Sequence, residues 1–434
     1  MKTVALVDTN HGRGHHLTYM RFFSKTLLEM GYRVMSFYPQ PDDVLPWIQE
    51  NCPDKAENFY AFEMQEYQWQ ELPVLGRLPA LFPKWNRWPQ PILILGRWQK
   101  TAAMIQEAAK QIGHEPDLVF LNWLDNYLSY YLRGSMIDWV FPYSWSGLYF
   151  RPATYRFGQR YLPILKKPLS HLAVAQSDHC QAITLLDEYE AKNLQADIDN
   201  KPVIAFPDFT DITPPDLTYS LAADIKAKAG NRTIIGLFGA LSKRKGLLTL
   251  LHAAERCDPD DFFFVFAGSL SKAMFHQDYS TRLNEDYEMV QTIVESSPDN
   301  CLFHFEFIPG EPQFNALVNS CDVIFSAYEN FPYSSNALVK AATFQKLVMA
   351  SEGYCMGKRV QQFELGVTIP EGDVDACVEA LIELKSRLTQ PKTDHQPDFE
   401  GYCNQHSLQQ LAKSFQDVLN LTTVHQQQQT TSPS

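Results

Sequence analysis

Short apolar runs suited to strands alternate with longer segments of helical spacing along most of the chain. Near the N-terminus "KTVALVDT" (residues 2–9) reads as a strand and "NHGRGHH" (10–16) as a glycine loop. "LTYMRFFSKTLLEMG" (17–31) follows as an amphipathic helix closed by Gly31, and "YRVMSFYP" (32–39) returns as a strand. Two strands joined through a helix lie parallel, because only a long crossover returns the chain to the same end of the sheet. A chain made of such units is confined to α/β folds in which helices cover a parallel sheet.

Further strands are expected at "DLVFLNW" (117–123), "DWVFPYSW" (138–145), "LAVAQS" (172–177) and "QAITLLD" (181–187), the last before the helical "EYEAKNLQAD". "KPVIAFPDFTDITPPDLTYS" (201–220) is rich in Pro, Asp and Thr and has no sustained period, which marks a linker. The alternation then restarts, with strands at 233–240, 261–269, 301–307, 322–329 and 346–353 and helices at 246–257, 281–296, 311–321, 334–345 and 373–388. At 434 residues the chain exceeds what one core usually serves. The expected fold class is therefore α/β, two doubly wound Rossmann-like domains facing a central cleft. The first spans 1–205, a linker 206–232 and the second 233–395; a C-terminal helix lies at 396–421, and the polar tail 422–434 is expected to be disordered.

Charge is distributed unevenly. The formal net charge is −13, yet residues 72–106 carry Arg77, Lys84, Arg87, Arg97 and Lys100 with no acid, among Trp85, Trp88 and Trp98. Residues 139–177 repeat this with Arg151, Arg156, Arg160, Lys166 and Lys167 among many aromatics. Interleaved aromatics and cations suit a membrane interface or stacking on sugars; they equally suit a partly buried aromatic layer with snorkelling cations. Nucleic acid is not an expected partner, because the acidic whole repels phosphate backbones. The eight cysteines include no Cys-x-x-Cys pair, which speaks against a zinc site or disulfide framework and for a reducing, cytoplasmic setting. "MKTVALVDTN" is too short an apolar run for a leader, and no stretch approaches a membrane span.

The candidate chemistry begins at "GALSKRKG" (239–246), directly after the first strand of the second domain and at the start of a helix. Three bases there are either a solvated turn or a grip on an anion. A helix N-terminus supplies unpaired N–H groups and partial positive charge, so Arg244 and Lys245 beside it make a diphosphate site, with Lys243 a solvated neighbour. Gly239 and Ser242 belong to the same loop.

A strand, Gly-x-Leu, then Lys-Gly opening an "LLxAA" helix resembles the donor-side signature of retaining glycosyltransferases of the glycosyltransferase-B architecture, family 4. In that family an arginine follows the first glycine and a lysine precedes the second, both on the donor's phosphates. Lys245 matches the lysine; Ala240 occupies the arginine position, and Arg244 is taken to replace its charge. "CDVIFSAYENFPYSSNALVKAATFQKLVMASEG" (321–353) resembles the family's segment with two glutamates, one near the transferred sugar and one on the ribose. Glu329 matches the first. The second is missing, since Ala337 stands at its spacing and Lys340 precedes the "AA". Ser334, Ser335 and Asn336 are assigned to the donor as hydroxyl and helix-start partners.

In the family the loop after the first strand faces acceptor and sugar, which makes Gly12, Gly14, His15 and His16 candidates; a structural role for the histidines is the competing reading. Asp-x-Asp at 197–199 and 373–375 is assigned to helix capping, not metal. The resemblance implies transfer of a sugar, with retention, from a nucleoside diphosphate sugar (UDP favoured) to a hydroxyl of a glycan or lipid-linked acceptor. It implies Lys245, Arg244 and Glu329 as the catalytic set, no cofactor and no metal, and a late helix at 396–421 that crosses back to the first domain; the basic, aromatic segments favour a lipid-linked acceptor and peripheral contact with the inner membrane face. Two other readings stay open: a non-catalytic nucleotide-sugar-binding protein, supported by Ala240 and the missing glutamate, and a nucleotide-sugar epimerase.

Overall fold

The computed structural model describes residues 1–10, 15–65, 90–152, 171–198, 201–272, 275, 283–389 and 396–431. The chain divides into two compact units, Met1–Pro207 with Leu408–Ser434, and Asp208–Ser407.

Among the described residues the first unit holds seven parallel strands: β1 (Thr3–Val7), β2 (Arg33–Tyr38), β3 (Phe59–Glu63), β4 (Leu118–Leu121), β5 (Trp145–Leu148), β6 (Cys180–Leu185) and β7 (Val203–Ala205). Their order is β3-β2-β1-β4-β5-β6-β7, and Val7 at the end of β1 lies opposite both Phe37 and Leu121. Every residue of β1, β4 and β6 is buried, as strands covered on both faces must be. The helices are α1 (His15–Glu29), α2 (Leu45–Asn51), α3 (Gln90–Ile112), α4 (Gly134–Val140) and α5 (Glu188–Asp197).

Two expected strands are corrected. Within 138–145 the chain first completes α4, with Ile137 and Phe141 four residues apart and fully buried, and pairing starts only at Trp145. Pro142 cannot donate to a ladder, which accounts for the late start. Residues 171–176 form a 3₁₀ turn whose Leu172, Val174 and Ala175 enter the core without pairing. Strand β3 went unread because its five residues alternate weakly, with only Phe59 fully buried.

The described residues of the second unit form six parallel strands: β8 (Thr233–Phe238), β9 (Phe262–Ala267), β10 (Cys301–His304), β11 (Val323–Ser326), β12 (Leu347–Ser351) and β13 (Gly366–Ile369), ordered β10-β9-β8-β11-β12-β13. Its helices are α6 (Ser220–Ala229), α7 (Leu247–Arg256), α8 (Leu283–Ser296), α9 (Glu311–Ser320), α10 (Ala337–Thr343), α11 (Tyr354–Gln362), α12 (Val374–Thr389) and α13 (Phe399–Gln405). The stretch 206–232 is thus ordered in part, through α6. The eight cysteines form no disulfide.

α14 (Leu408–Thr431) belongs to the first unit, where Phe415 meets Phe23, Phe120 and Phe206 at 5.1 Å each. It continues to Thr431, a correction to the tail expected at 422: glutamine is a good helix former, and a helix already nucleated extends cheaply. Among the described residues no helix is long and apolar enough to cross a membrane.

In each sheet the strand order reverses beside the first strand, between β1 and β4 and between β8 and β11. The loops after those strands flank the point where open α/β sheets bind ligands.

Candidate functional site

In the second unit the two loops at the reversal are 239–246 and 327–336, the basic loop and the carboxylate segment. They touch through backbone. Gly246 has φ +71°, and a Cβ there would lie 2.4 Å from the Ala327 carbonyl oxygen, so only glycine lets the loops approach. The Glu329 N–H donates to the Arg244 carbonyl at 2.8 Å. Residues 243–245 form one 3₁₀ turn ahead of α7, whose N-cap is Gly246.

The three bases are held in three ways. Lys243 pairs with Asp286 at 2.9 Å, so it is an ion-pair partner of a buried acid and not the solvated neighbour expected. The Arg244 guanidinium lies 4.7 Å from the centre of the Phe331 ring. Lys245 Nζ donates to the Phe238 carbonyl at 2.6 Å and lies 5.6 Å from the centre of the Tyr328 ring. A Cβ on Gly239, which has φ +94°, would come within 2.9 Å of that ammonium. Ser242 is 4% exposed and its Oγ has no partner among the described residues, a buried hydroxyl left unsatisfied beside the cations. Ala240 is exposed.

Burial acts to raise the Tyr328 phenol, but Lys245, a hydrogen bond with Ser335 and Arg244 outweigh it and bring it below its usual 10.0. The Glu329 carboxyl moves the other way. Burial raises it above 4.5, Lys243 and the Thr249 hydroxyl oppose the shift, and Glu371 and Asp286 add to it. Its Oε1 accepts from Thr249 Oγ1 at 3.3 Å. The structure therefore brings the backbones of Arg244 and Glu329 together, while the Lys245 and Glu329 side chains are held by different partners.

The serine–asparagine run also separates by role. Ser334 is bonded to buried Asp208 and accepts from Arg359 Nη1 at 2.5 Å, with Arg359 and Asp208 themselves 3.6 Å apart. Ser335 Oγ accepts from the Ala337 N–H at 3.4 Å. Asn336 is the N-cap residue of α10, with its Nδ2 3.4 Å from Thr210 Oγ1. The helix thus starts at Ala337, not at 334 as expected, because Ser334 is drawn into the Asp208–Arg359 cluster. Lys340 is 4% exposed; its ammonium donates to Glu311 (2.6 Å), Asn315 (2.7 Å) and the Asp211 carbonyl (2.9 Å). The residue standing in place of a glutamate is a strut, and sequence spacing gave no sign of its partners.

At the reversal of the first unit, Gly12 and Gly14 lie outside the described residues. His15 is exposed at the start of α1. His16 Nδ1 lies 2.9 Å from Asp8 Oδ2, and Asp8, 1% exposed at the end of β1, also accepts from the Asn10 N–H at 2.9 Å and Nδ2 at 3.0 Å. Asn126 Nδ2 reaches Thr9 Oγ1 and Asn10 Oδ1, both at 2.9 Å. The His16 ring meets Trp123 at 4.3 Å, and Trp123 stacks on Phe150 at 4.1 Å. Asp8, Asn126 and Trp123 were missed by sequence reasoning, although each directly follows a strand end or lies within five residues of one.

Of the basic, aromatic segments, Trp98 and Trp145 are fully buried and 5.0 Å apart, the core-layer reading; Trp139 is 83% exposed. Residues 72–89 and 153–170, with Arg77, Lys84, Arg87, Arg156, Arg160, Lys166 and Lys167, lie outside the described residues. Asp373 Oδ1 accepts from the Ala376 N–H at 2.9 Å at the start of α12, and Asp375 pairs with Arg256.

No protein-family model and no curated protein matches the chain. Solved structures do. A glycosyltransferase from Rickettsia africae superposes with a TM-score of 0.62 at 16% identity, over 97% of this chain and 98% of that one. HepE of Anabaena in complex with UDP-glucose gives 0.58 at 15%, over the full length of both. A UDP-forming α,α-trehalose-phosphate synthase from Burkholderia vietnamiensis gives 0.60 at 12%, over 97% and 100%. At such identities the likeness establishes the fold, which is that of these glycosyltransferase-B proteins.

Proposed function

We propose that the chain is a glycosyltransferase that moves a sugar, with retention, from a UDP-sugar to a hydroxyl of a glycan or lipid-linked acceptor in glycoconjugate or polysaccharide synthesis. The carrying observation is the basic loop. Among the described residues the Lys245 ammonium meets a carbonyl and a ring face and no carboxylate, and the Ser242 hydroxyl of the same loop has no partner, at the sheet's reversal point. The complexes of HepE with UDP and with UDP-glucose support a uridine diphosphate ligand.

The difficulty in such a transfer is negative charge gathering on the departing diphosphate as the sugar becomes oxocarbenium-like. Lys245, Arg244 and the start of α7 meet that charge as preorganised donors, each worth about 3–4 kcal/mol in the transition state. Glu329, on the adjoining loop, is assigned to the sugar. His15 and His16 serve the acceptor side, and the exposed Trp139 serves peripheral contact with a lipid surface. A second reading, a protein that binds the nucleotide sugar without turning it over, draws on the tie of Glu329 to Thr249.

Incubation with UDP-, GDP- and ADP-sugars, followed by assay of released nucleoside diphosphate, separates these readings. Slow release of UDP is expected, and Lys245→Ala should cut it by about two to three orders of magnitude without unfolding. Binding without release favours the second reading, isomerised sugar an epimerase, and full activity of Lys245→Ala removes the site assignment.

A further inference from the structure

The three adjacent bases of the loop differ in what neutralises them. Lys243 faces a carboxylate, Asp286, at 2.9 Å, and its charge is spent there. Lys245 is held by two groups that carry no net charge: the Phe238 carbonyl dipole at 2.6 Å and the face of Tyr328, 5.6 Å from the ammonium to the ring centre. A ring face attracts a cation through its quadrupole and occupies no N–H donor in a directed bond. We infer that Tyr328 is a positioning residue for Lys245, its ring seating the ammonium beside the Phe238 carbonyl while leaving charge and N–H donors for the phosphates of a nucleotide ligand. This rests on the donor-site reading above.

Tyr328 is suited to the task by its own fixation. It is 5% exposed, its N–H donates to the Ser326 carbonyl at 2.9 Å, and its carbonyl accepts from Ser351 Oγ at 2.5 Å. Its ring packs edge-on at 5.3 Å against Phe331, which in turn faces Arg244. The phenol lies below its usual range through Lys245, Ser335 and Arg244 acting against burial, which places it in the same field of positive charge. Arg244 and Lys245 are thus both seated on aromatic rings of the carboxylate segment, and both rings come from within two residues of Glu329.

The test is a double-mutant cycle read by UDP binding to the full chain, using calorimetry, with transfer kinetics alongside. Tyr328→Met should raise the UDP Kd about tenfold, the scale of a partly desolvated cation–π contact. Tyr328→Phe keeps the ring and should stay within about twofold. In a Lys245→Ala background Tyr328→Met should add nothing. Unchanged UDP affinity in Tyr328→Met, or the same loss with and without Lys245, overturns the inference and leaves the donor site standing. If Tyr328→Met fails to fold, a series of fluorinated phenylalanines at 328 keeps the shape and drains the ring face. Affinity should fall along the series, and a flat series overturns the inference. Failure of the unmodified chain to bind UDP, or undiminished binding by Lys245→Ala, overturns the donor reading itself and the inference with it.

Discussion

Lys243, Arg244 and Lys245 are neighbours in sequence and chemically unlike in the fold, because a 3₁₀ turn points successive side chains about a third of a turn apart. One meets an acid and two meet rings. Glu329 shows the reverse case, a charge that its surroundings do not favour. Its carboxyl is raised above 4.5 chiefly by burial, so between that value and its folded-state pKa the native chain holds a proton that the unfolded chain has lost. Stability then falls as pH rises through that window. Glu329→Gln, similar in shape and unable to ionise, should melt above the parent at pH 7 and converge with it near pH 4; a gap independent of pH would show that ionisation of this carboxyl carries no penalty.

Among elements, the segment after Asp208 and the helices α10 and α11 are joined by polar side chains. Arg359 and Asp208 are an ion pair with 0% and 3% side-chain exposure, bridged by Ser334. The Asp208 N–H donates to His406 Nδ1 at 3.0 Å. Removing one member of a buried pair strands the other, so Arg359→Met should cost about 3–5 kcal/mol, and adding Asp208→Asn should restore part of it. His406 is pressed down to about 2 by burial and by Arg359, while in the unfolded chain it titrates near 6.5. Below pH 6.5 the unfolded chain therefore binds the extra proton, and stability declines by up to about 1.4 kcal/mol per pH unit. Urea melts from pH 7 to 5 check this, with His406→Gln expected to flatten the slope. None of this cluster was legible in the sequence. Ser334 and Asp208 are 126 residues apart and Asp208 and His406 198, and a lone Arg or His carries no local period that betrays a partner. What was legible was local: a strand at 233–240, which ends in the fold at Phe238, the Lys-Gly that opens the next helix, and that helix itself. The same limit made 172–177 look like a strand, since an apolar run states burial but not pairing.

At the scale of the molecule, two sheets with the same reversal beside their first strand follow from the repeated alternation, and the place of the last helix in the first unit follows from packing that no local pattern states. Charge adds a second asymmetry. On a chain of net charge −13, the cations at 243–245 are concentrated in one loop of the second unit. If that loop and its neighbour at 327–336 bind a nucleoside diphosphate, saturating UDP stabilises the state that holds it, by about 2.7 kcal/mol at a hundred times its Kd. Hydrogen exchange with and without UDP should then slow at 239–246 and 327–336, and along β8 and β11, whose ends carry those loops. The sheet of the first unit, β1 to β7, should exchange at an unchanged rate, because UDP alone lacks the sugar and acceptor assigned to that side. Protection at 15–16 and 122–126 in place of 239–246 would move the nucleotide to the Asp8–His16 cluster and leave the basic loop without its ligand.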